Sequence, residues 1–233
     1  MGTLAERGLW LPAAADRTDL RVFAERALRL DPAAVIRLRA RGEGRVAAWV
    51  ATGFDVLAAR TLAGRVRPAD LCAGADALLA GLAGAGTDGH VDPGYPMDSS
   101  WRGVLPPEHG FGHLDDVPVA VLRELARRGA ALAREQGAAG PPVSLLDQDV
   151  LTVTGAQQSE PVGIPMRCVF ALTGMGFVAG EADGGGVDPA EGGVEPADDG
   201  EVVRVRVAPL WLRIDARFGS VYRRRGDPAL VLR

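Results

Sequence analysis

Two segments of the chain alternate aliphatic and arginine side chains with a period of two residues, and this pattern constrains the fold more than any other. In the first, Ile36, Leu38 and Ala40 alternate with arginines, and residues 202–207 alternate valine with arginine in the same way. Successive side chains of a strand point to opposite faces of a sheet, so such a segment buries one face and exposes the other. The pattern predicts antiparallel strands with one face in solvent.

The surroundings of these two segments resemble each other. In each, a helix that contains a phenylalanine precedes the alternating strand, and a strand with a tryptophan and a Phe-x-x-(Leu/Val)-x-x-Arg strand follow it. This order predicts a pseudo-symmetric pair of α-β-β-β units. Chance similarity is left open, because any half-exposed strand in a chain without lysine alternates in this manner. The residues concerned are Phe23, Trp49 and 54–60 in the first copy and Phe170, Trp211 and 218–224 in the second.

We therefore predict an α+β fold, an antiparallel sheet with flanking helices, in three parts. Residues 1–83 form an N-terminal α-β-β-β-α unit whose second helix begins at Pro68, and residues 84–116 form a long irregular loop. Residues 117–233 form a C-terminal helical and β unit with a flexible acidic insert at 181–201, which lacks aromatic and long aliphatic side chains. The elements predicted in this last part are helices over 117–135 and 165–173 and strands over 150–154, 202–207, 210–215 and 218–223.

The chain contains no lysine and no asparagine, so all 26 basic residues are arginine. Both absent amino acids have A-rich codons, and lysine serves as well as arginine on an ordinary solvated face, so the cause is a GC-rich coding sequence. Arginine abundance is therefore weak support for nucleic-acid binding. The net charge of −4 also disfavours a general polyanion-binding surface, although it leaves room for a local arginine patch.

The sequence predicts a cytoplasmic protein without membrane association. No apolar run approaches the ~20 residues of a membrane-spanning helix, and the first residues lack the regions of a signal peptide. Cys72 and Cys168 are far apart and form no CxxC motif, so we expect two small, buried, reduced side chains.

No nucleotide, metal or other cofactor is predicted. The segment 84–89 has the letters GxGxxG, but a helix precedes it and irregular chain follows, which is the wrong context for a phosphate-binding loop. His109 and His113, with Asp115 nearby, are weak candidates for a metal site. Glycines 110 and 112 disfavour the helix that would align the two imidazoles, and a turn with two hydrogen-bonding histidines is the preferred interpretation.

Two further groups of residues are candidates for binding. Asp98, Trp101 and Arg102 form a polar cluster beside an aromatic ring in the long loop, and we interpret it first as a loop anchor and second as a ligand contact. Near the C-terminus, arginines alternate with aromatic residues, a combination that single-stranded nucleic acid could use. The candidate binding residues are Asp98, Trp101, Arg102, His109, His113, Arg213, Arg217 and Tyr222.

The segments 101–107, 114–118, 145–155 and 217–223 are similar to proteins of a high-GC actinobacterial family with no assigned activity, over most of residues 18–225. This resemblance implies no role for any residue here.

The sequence thus predicts a non-enzymatic protein with a protein partner, which binds through the 84–115 loop together with the C-terminal arginine face. Two alternatives stay open. One is a metal-dependent or small-molecule enzyme that uses His109 and His113 with Asp98 or Asp115. The other is nucleic-acid binding through the arginine-rich C-terminal strands.

Overall fold

The computed structural model describes residues 7–42, 44–135, 140–155, 160–178 and 200–226. The chain divides into two compact units, Met1–Pro106 and Pro107–Arg233, each with its own buried core. No described helix is long and apolar enough to span a membrane.

Unit 1 is built on a four-stranded antiparallel sheet with the strand order β6-β2-β3-β4. A smaller antiparallel sheet in the order β5-β1-β7 lies within the same unit. The elements are β1 (Gly8–Trp10), α1 (Ala14–Leu30), β2 (Val35–Arg41), β3 (Arg45–Ala51), β4 (Leu57–Ala63), β5 (Arg65–Arg67), β6 (Asp70–Gly74), α2 (Ala75–Ala83), β7 (His90–Val91) and the short 3-10 helix η1 (Asp98–Ser100).

The core of unit 1 follows from two periodicities. Ile36 and Leu38, at alternate positions of β2, are fully buried, while Arg39 on the other face is exposed. The helix α1 buries Leu20 and Phe23 at the spacing of a helix stripe and packs against α2 and β4. Burial of such side chains contributes roughly 1.5–3 kcal/mol each, so the alternation of β2 and the stripe of α1 stabilise the same core.

Unit 2 contains a four-stranded antiparallel sheet in the order β13-β12-β11-β8 and a separate two-stranded sheet, β10-β9. Two of its helices, α3 and α5, pack against each other. The elements are β8 (Gly112–Pro118), α3 (Val119–Glu135), α4 (Val143–Leu146), β9 (Asp149–Val153), β10 (Val162–Pro165), α5 (Met166–Gly174), β11 (Val202–Ala208), β12 (Trp211–Ala216) and β13 (Gly219–Arg224).

The fold class is α+β, and the repeated order of elements is present. In unit 1 the helix α1 leads into the meander β2-β3-β4, and in unit 2 the helix α5 leads into β11-β12-β13. The repetition extends further than expected. In each unit a strand that runs directly into a helix, β6 before α2 and β8 before α3, pairs antiparallel with the first strand of the meander.

Two predicted helix starts are wrong. The second helix of unit 1 begins at Ala75 rather than at Pro68, because residues 70–74 pair with β2 as strand β6. The apolar run in β6 is buried on both faces, and such a run has no alternation that distinguishes it from a helix. In unit 2 the helix begins at Val119 rather than at Val117, because β8 extends through Pro118 in its pairing with β11.

The segment 84–116 is less irregular than expected. It contains β7, η1 and the first residues of β8, and the division between the two units falls inside it, after Pro106. Short strands such as β7 give no periodic signal, since their pairing partners come from distant parts of the chain. Of the predicted acidic insert at 181–201, residues 181–199 lie outside the described residues.

Candidate interaction surface

The strands of unit 2 expose a face of mixed charge. Along β11 and β12, Val205 and Ile214 point to the core and are fully buried, and the alternate positions carry arginine and aspartate. Antiparallel pairing places Arg206 opposite both Arg213 on β12 and His113 on β8. This surface, here named the charged sheet face, comprises Phe111, His113, Asp116, Arg206, Arg213, Asp215, Ser220 and Tyr222.

The carboxylate of Asp215 connects the centre of this face. Its Oδ1 accepts a hydrogen bond from Arg213 Nε at 2.6 Å and another from the Ser220 hydroxyl. Its Oδ2 lies 3.0 Å from Arg206 Nε. The hydrogen bond from Arg213 is charge-assisted, and bonds of this kind are shorter and stronger than neutral ones. The contact with Arg206 is an ion pair rather than a hydrogen bond. The carboxylate thus contacts side chains from three neighbouring strands.

Arg213 also lies against two aromatic rings. Its guanidinium carbon is 5.4 Å from the centre of the Tyr222 ring and 5.7 Å from that of Phe111. The two rings meet edge to face, with centroids 6.0 Å apart. Cation–π contacts of this geometry are worth about 0.5–1 kcal/mol at exposed sites, so Arg213 is held by rings as well as by Asp215.

The histidines predicted as weak metal ligands do not form a metal site with other side chains. His113 Nε2 lies 2.9 Å from Asp116 Oδ1, and Asp115 accepts a hydrogen bond from the Asp116 backbone. His109 is exposed. Among the residues that the structure describes, no three His, Cys, Asp or Glu side chains converge as a metal would require.

Asp98 and Trp101 lie in unit 1 and make contacts typical of a loop anchor. Asp98 Oδ1 accepts a hydrogen bond from the Cys72 backbone at 3.1 Å, and Trp101 Nε1 donates to the Gly103 carbonyl at 3.1 Å. The Arg37 guanidinium lies 5.8 Å from the centre of the Trp101 ring. These contacts fasten the loop to the edge strand β6, while Arg102 is exposed.

The C-terminal arginines are largely engaged within the chain. Arg217 stacks on Phe218 at 5.4 Å, and Arg223 lies 3.7 Å from Asp147 Oδ1, which also pairs with Arg167. The guanidinium groups in these contacts therefore have fewer N–H donors free for a phosphate than the sequence suggested.

Neither cysteine is poised as a nucleophile. Burial raises the pKa of the Cys72 thiol to about 11, with the nearby Asp98 carboxylate adding to the shift. Burial also raises the pKa of the Cys168 thiol to about 12. Both thiols are therefore protonated at neutral pH, and the thiolate that nucleophilic chemistry needs is not formed.

The structure thus brings three of the predicted residues, His113, Arg213 and Tyr222, onto one face and leaves the loop cluster on the other unit. Sequence reasoning missed five members of that face. Arg206, Asp215 and Ser220 occupy outward positions of their strands, so the alternation itself could have indicated them. Phe111 precedes β8, and Asp116 lies on β8, whose pairing with β11 contains a register shift, so neither had such a signal.

The fold is shared with bacterial DNA polymerase sliding clamps. Caulobacter crescentus pol III beta matches with a TM-score of 0.54 at 12% identity, over 98% of this chain and 69% of that one. The Bartonella birtlesii DnaN sliding clamp matches with a TM-score of 0.52 at 15% identity, over 95% of this chain and 65% of that one. The Bacillus subtilis clamp matches with a TM-score of 0.53 at 11% identity, over 98% of this chain and 68% of that one. This chain spans about two thirds of the length of those clamp chains.

Residues 106–228 match the family described as domain of unknown function DUF8185, and the chain belongs to that family. Residues 4–103 match a second family, domain of unknown function DUF8010. The boundary between the two matches falls where the structure divides the chain into its units. Comparison with curated proteins found no match by sequence.

Proposed function

We propose that this protein is a non-enzymatic binding protein and that the charged sheet face of unit 2 holds a protein partner. The observation that carries the proposal is the fixing of Arg213 between two aromatic rings and the Asp215 carboxylate. Arginine is among the residues that dominate the energetics of protein interfaces, above all where its side chain is held in place before binding. Tyr222 is itself buried, so its ring contributes by positioning Arg213.

The fold supports a role in a larger assembly. The Bartonella birtlesii clamp is named as subunit beta of DNA polymerase III, that is, as one component of a multi-subunit enzyme. By analogy, we propose that this chain too is a component of an assembly, and that it works by holding other proteins rather than by chemistry of its own. The proposal keeps the cytoplasmic location and the high-GC actinobacterial origin expected from the sequence.

The enzyme alternative gains no support from the described residues. The thiols of Cys72 and Cys168 have raised pKa values, and the exposed His113 pairs with Asp116 rather than with a nucleophile. A metal assay on the purified protein would still separate the two functions, because a binding surface has no reason to hold a stoichiometric ion.

Nucleic acid stays open as a partner. The likeness to proteins named as DNA polymerase sliding clamps weakens the argument from net charge that disfavoured it. The C-terminal arginines are a poor place for it, however, because Asp215 and Asp147 already lie against Arg213 and Arg223.

The test is co-purification of the tagged protein from a high-GC actinobacterial host, with the Arg213→Ala variant and an Arg217→Ala control. The control removes an exposed arginine four positions away that stacks on its neighbour Phe218. We expect a partner that the parent and the control retain and the Arg213→Ala variant loses. With purified proteins, the dissociation constant of the partner should be at least about tenfold lower for the parent than for the Arg213→Ala variant. This ratio corresponds to about 1.4 kcal/mol of binding free energy.

Equal retention by all three proteins would contradict the proposal. Thermal unfolding of each variant, measured before the binding assay, separates loss of a contact from loss of the fold.

A further inference from the structure

The strand β6 lies at an edge of the sheet in unit 1, and a loop covers the side of it that faces away from β2. Among the described residues, β2 is the one strand that pairs with β6. Along the other side lie residues 94–101, here named the strap, which contain the short helix η1 and no strand. The outward edge of β6 is therefore closed by chain that does not extend the sheet.

The contacts between the strap and β6 centre on Cys72. Its carbonyl accepts a hydrogen bond from the Met97 N–H at 3.0 Å, and its N–H donates to Asp98 Oδ1 at 3.1 Å. Arg7 joins the two segments, because its guanidinium donates to the Cys72 carbonyl at 2.7 Å and also to the Gly94 carbonyl. Both outward backbone groups of Cys72 are thus occupied, and a further strand has no free group to pair with at the centre of β6.

The sequence of β6 does not itself protect this edge. Residues 71–73 are apolar and buried, without a charge or a proline, and their pairing with β2 has no register shift. Proteins keep edge strands from pairing with other chains by means of charges, prolines, bulges or a covering segment. At the centre of β6, only the covering segment is present.

The strand β8, which has the same place in the element order of unit 2, is protected differently. Its pairing with β11 contains a register shift, and its residues His113, Asp115 and Asp116 are exposed. Both features disfavour pairing with another chain. The contrast indicates that the strap supplies for β6 the protection that β8 has in its own sequence and geometry.

The strap buries little of its own surface. None of its residues is buried, and Tyr95 is 88% exposed. A segment with few buried apolar contacts opens at a much lower free energy than the core around it. The strap can therefore leave β6 while the rest of unit 1 stays folded.

We propose that the strap controls self-association, and that β6 pairs antiparallel with β6 of a second copy of this chain when the strap leaves. Pairing centred on Cys72 is symmetric, and its N–H and carbonyl regain partners from the other copy. It sets Asp70 opposite Gly74, so no like charges meet, and Leu71 opposite Ala73. This inference is independent of the charged sheet face, which belongs to unit 2.

The test is sedimentation velocity of the full-length protein over a range of concentrations. The strap variant is Arg7→Ala/Asp98→Ala. It removes the arginine that joins the strap to β6 and the carboxylate that accepts the Cys72 N–H.

The matched control is Arg17→Ala/Asp88→Ala, in the same unit. Arg17 also donates to two backbone carbonyls, those of Leu11 and Pro12, and Asp88 also accepts a hydrogen bond from one backbone N–H, that of His90. The control thus loses bonds of the same kind as the strap variant, but none of them involves β6 or the strap.

We expect the strap variant to self-associate at least about tenfold more tightly than the parent, and the control to behave as the parent does. Hydrogen exchange locates the contact. In the strap variant the amides of residues 70–74 should become more protected as the protein concentration rises, because a second copy supplies acceptors for the outward N–H groups.

Association of the strap variant no tighter than that of the parent overturns the proposal, and so does equal association of the control. Association without added protection of residues 70–74 also overturns it, because the copies then meet at another surface.

Thermal unfolding of each variant precedes the association measurements. If the double variant is unfolded, Asp98→Ala alone takes its place under the same criteria. Its comparison is Asp98→Asn, which keeps an oxygen acceptor for the Cys72 N–H and should associate no more than the parent. The protein partner proposed for unit 2 should co-purify with the strap variant as it does with the parent, so the two proposals fail independently.

Discussion

The Asp215 carboxylate organises the charged sheet face because it accepts hydrogen bonds from β12 and β13 and forms an ion pair with β11. It contacts Arg206, Arg213 and the Ser220 hydroxyl, and it is about one-fifth exposed. An exposed ion pair contributes little to the free energy of unfolding, whereas removing one partner of a fully buried ion pair costs several kcal/mol. For the partly exposed Asp215 we expect a loss of stability between these two limits.

Replacing Asp215 with alanine should lower the free energy of unfolding by about 1–2 kcal/mol, because two partly buried arginines lose the carboxylate with which they pair. Ser220→Ala should cost less, about 0.5–1 kcal/mol, since it removes one hydrogen bond and leaves both ion pairs in place. Urea denaturation of the two variants and the parent measures both effects. A larger loss from Ser220→Ala than from Asp215→Ala would show that the carboxylate is not the centre of the network.

The two buried thiols make the free energy of unfolding depend on pH in the alkaline range. In the unfolded chain a thiol loses its proton around its ordinary pKa of 9.0, whereas in the fold the pKa values of Cys72 and Cys168 are about 11 and about 12. Above pH 9.0 the folded state therefore binds more protons than the unfolded state, and stability falls as pH rises until the folded thiols also ionise. The slope is on the order of 1 kcal/mol per pH unit for each thiol.

Urea midpoints between pH 9.0 and pH 11 should thus fall more steeply for the parent than for the Cys72→Ala/Cys168→Ala variant. The variant is the reference that subtracts the titration of other groups. Parallel curves for the two proteins would exclude the thiols as the cause.

In unit 2 the packing of α3 against α5 depends on one small residue. A methyl group at Gly129 would meet the Met166 Cε atom at 2.8 Å and the Phe170 ring at 2.9 Å. Glycine normally weakens a helix interior by roughly 1 kcal/mol relative to alanine, so its presence here reflects the close approach of the two helices.

Gly129→Val should destabilise the protein by about 1–3 kcal/mol, because the side chain overpacks the α3–α5 contact. Gly129→Ala should cost less, since the gain in helix propensity offsets part of the clash. The control is Ala130→Val on the exposed side of the same helix, for which we expect a loss of only about 0.5 kcal/mol. Denaturant unfolding gives all three values, and a cost for Ala130→Val equal to that of Gly129→Val would contradict the packing argument.

The whole chain consists of two units that repeat one plan, a helix followed by a three-stranded meander plus a strand that runs directly into a second helix. Each unit has its own buried residues, and two sequence families divide the chain at the same place. Units of this size with a separate core can fold alone.

A fragment ending at Pro106 should therefore be folded when it is expressed without unit 2, and it should unfold in one cooperative thermal transition. Circular dichroism of the fragment, followed through heating, tests this. A Leu38→Asp version, which places a charge in the core of the sheet, provides the unfolded reference. A gradual transition of the parent fragment, like that of this reference, would show that unit 1 depends on the rest of the chain.

The meanders were predictable because β2, β11 and β12 alternate apolar and polar residues and the strands follow one another along the sequence. The predicted strands at 202–207, 210–215 and 218–223 lie within one or two residues of β11, β12 and β13. The strands β1, β6 and β7 were missed, since they are short or buried on both faces and pair with distant partners. For the charged sheet face, the sequence grouped Arg213 with Tyr222, but nothing local indicated that His113 lies on the same face.

What the sequence by itself determined is the α+β class and the repeated helix-and-meander order, because both follow from periodicities that neighbouring residues set. Only the tertiary structure decided which charges meet. Asp215 on β12 meets Arg206 on the neighbouring strand β11, and the Phe111 ring meets Tyr222 of β13. Strand register and long-range strand pairing decide which side chains are in contact, and the local pattern of a single segment encodes neither.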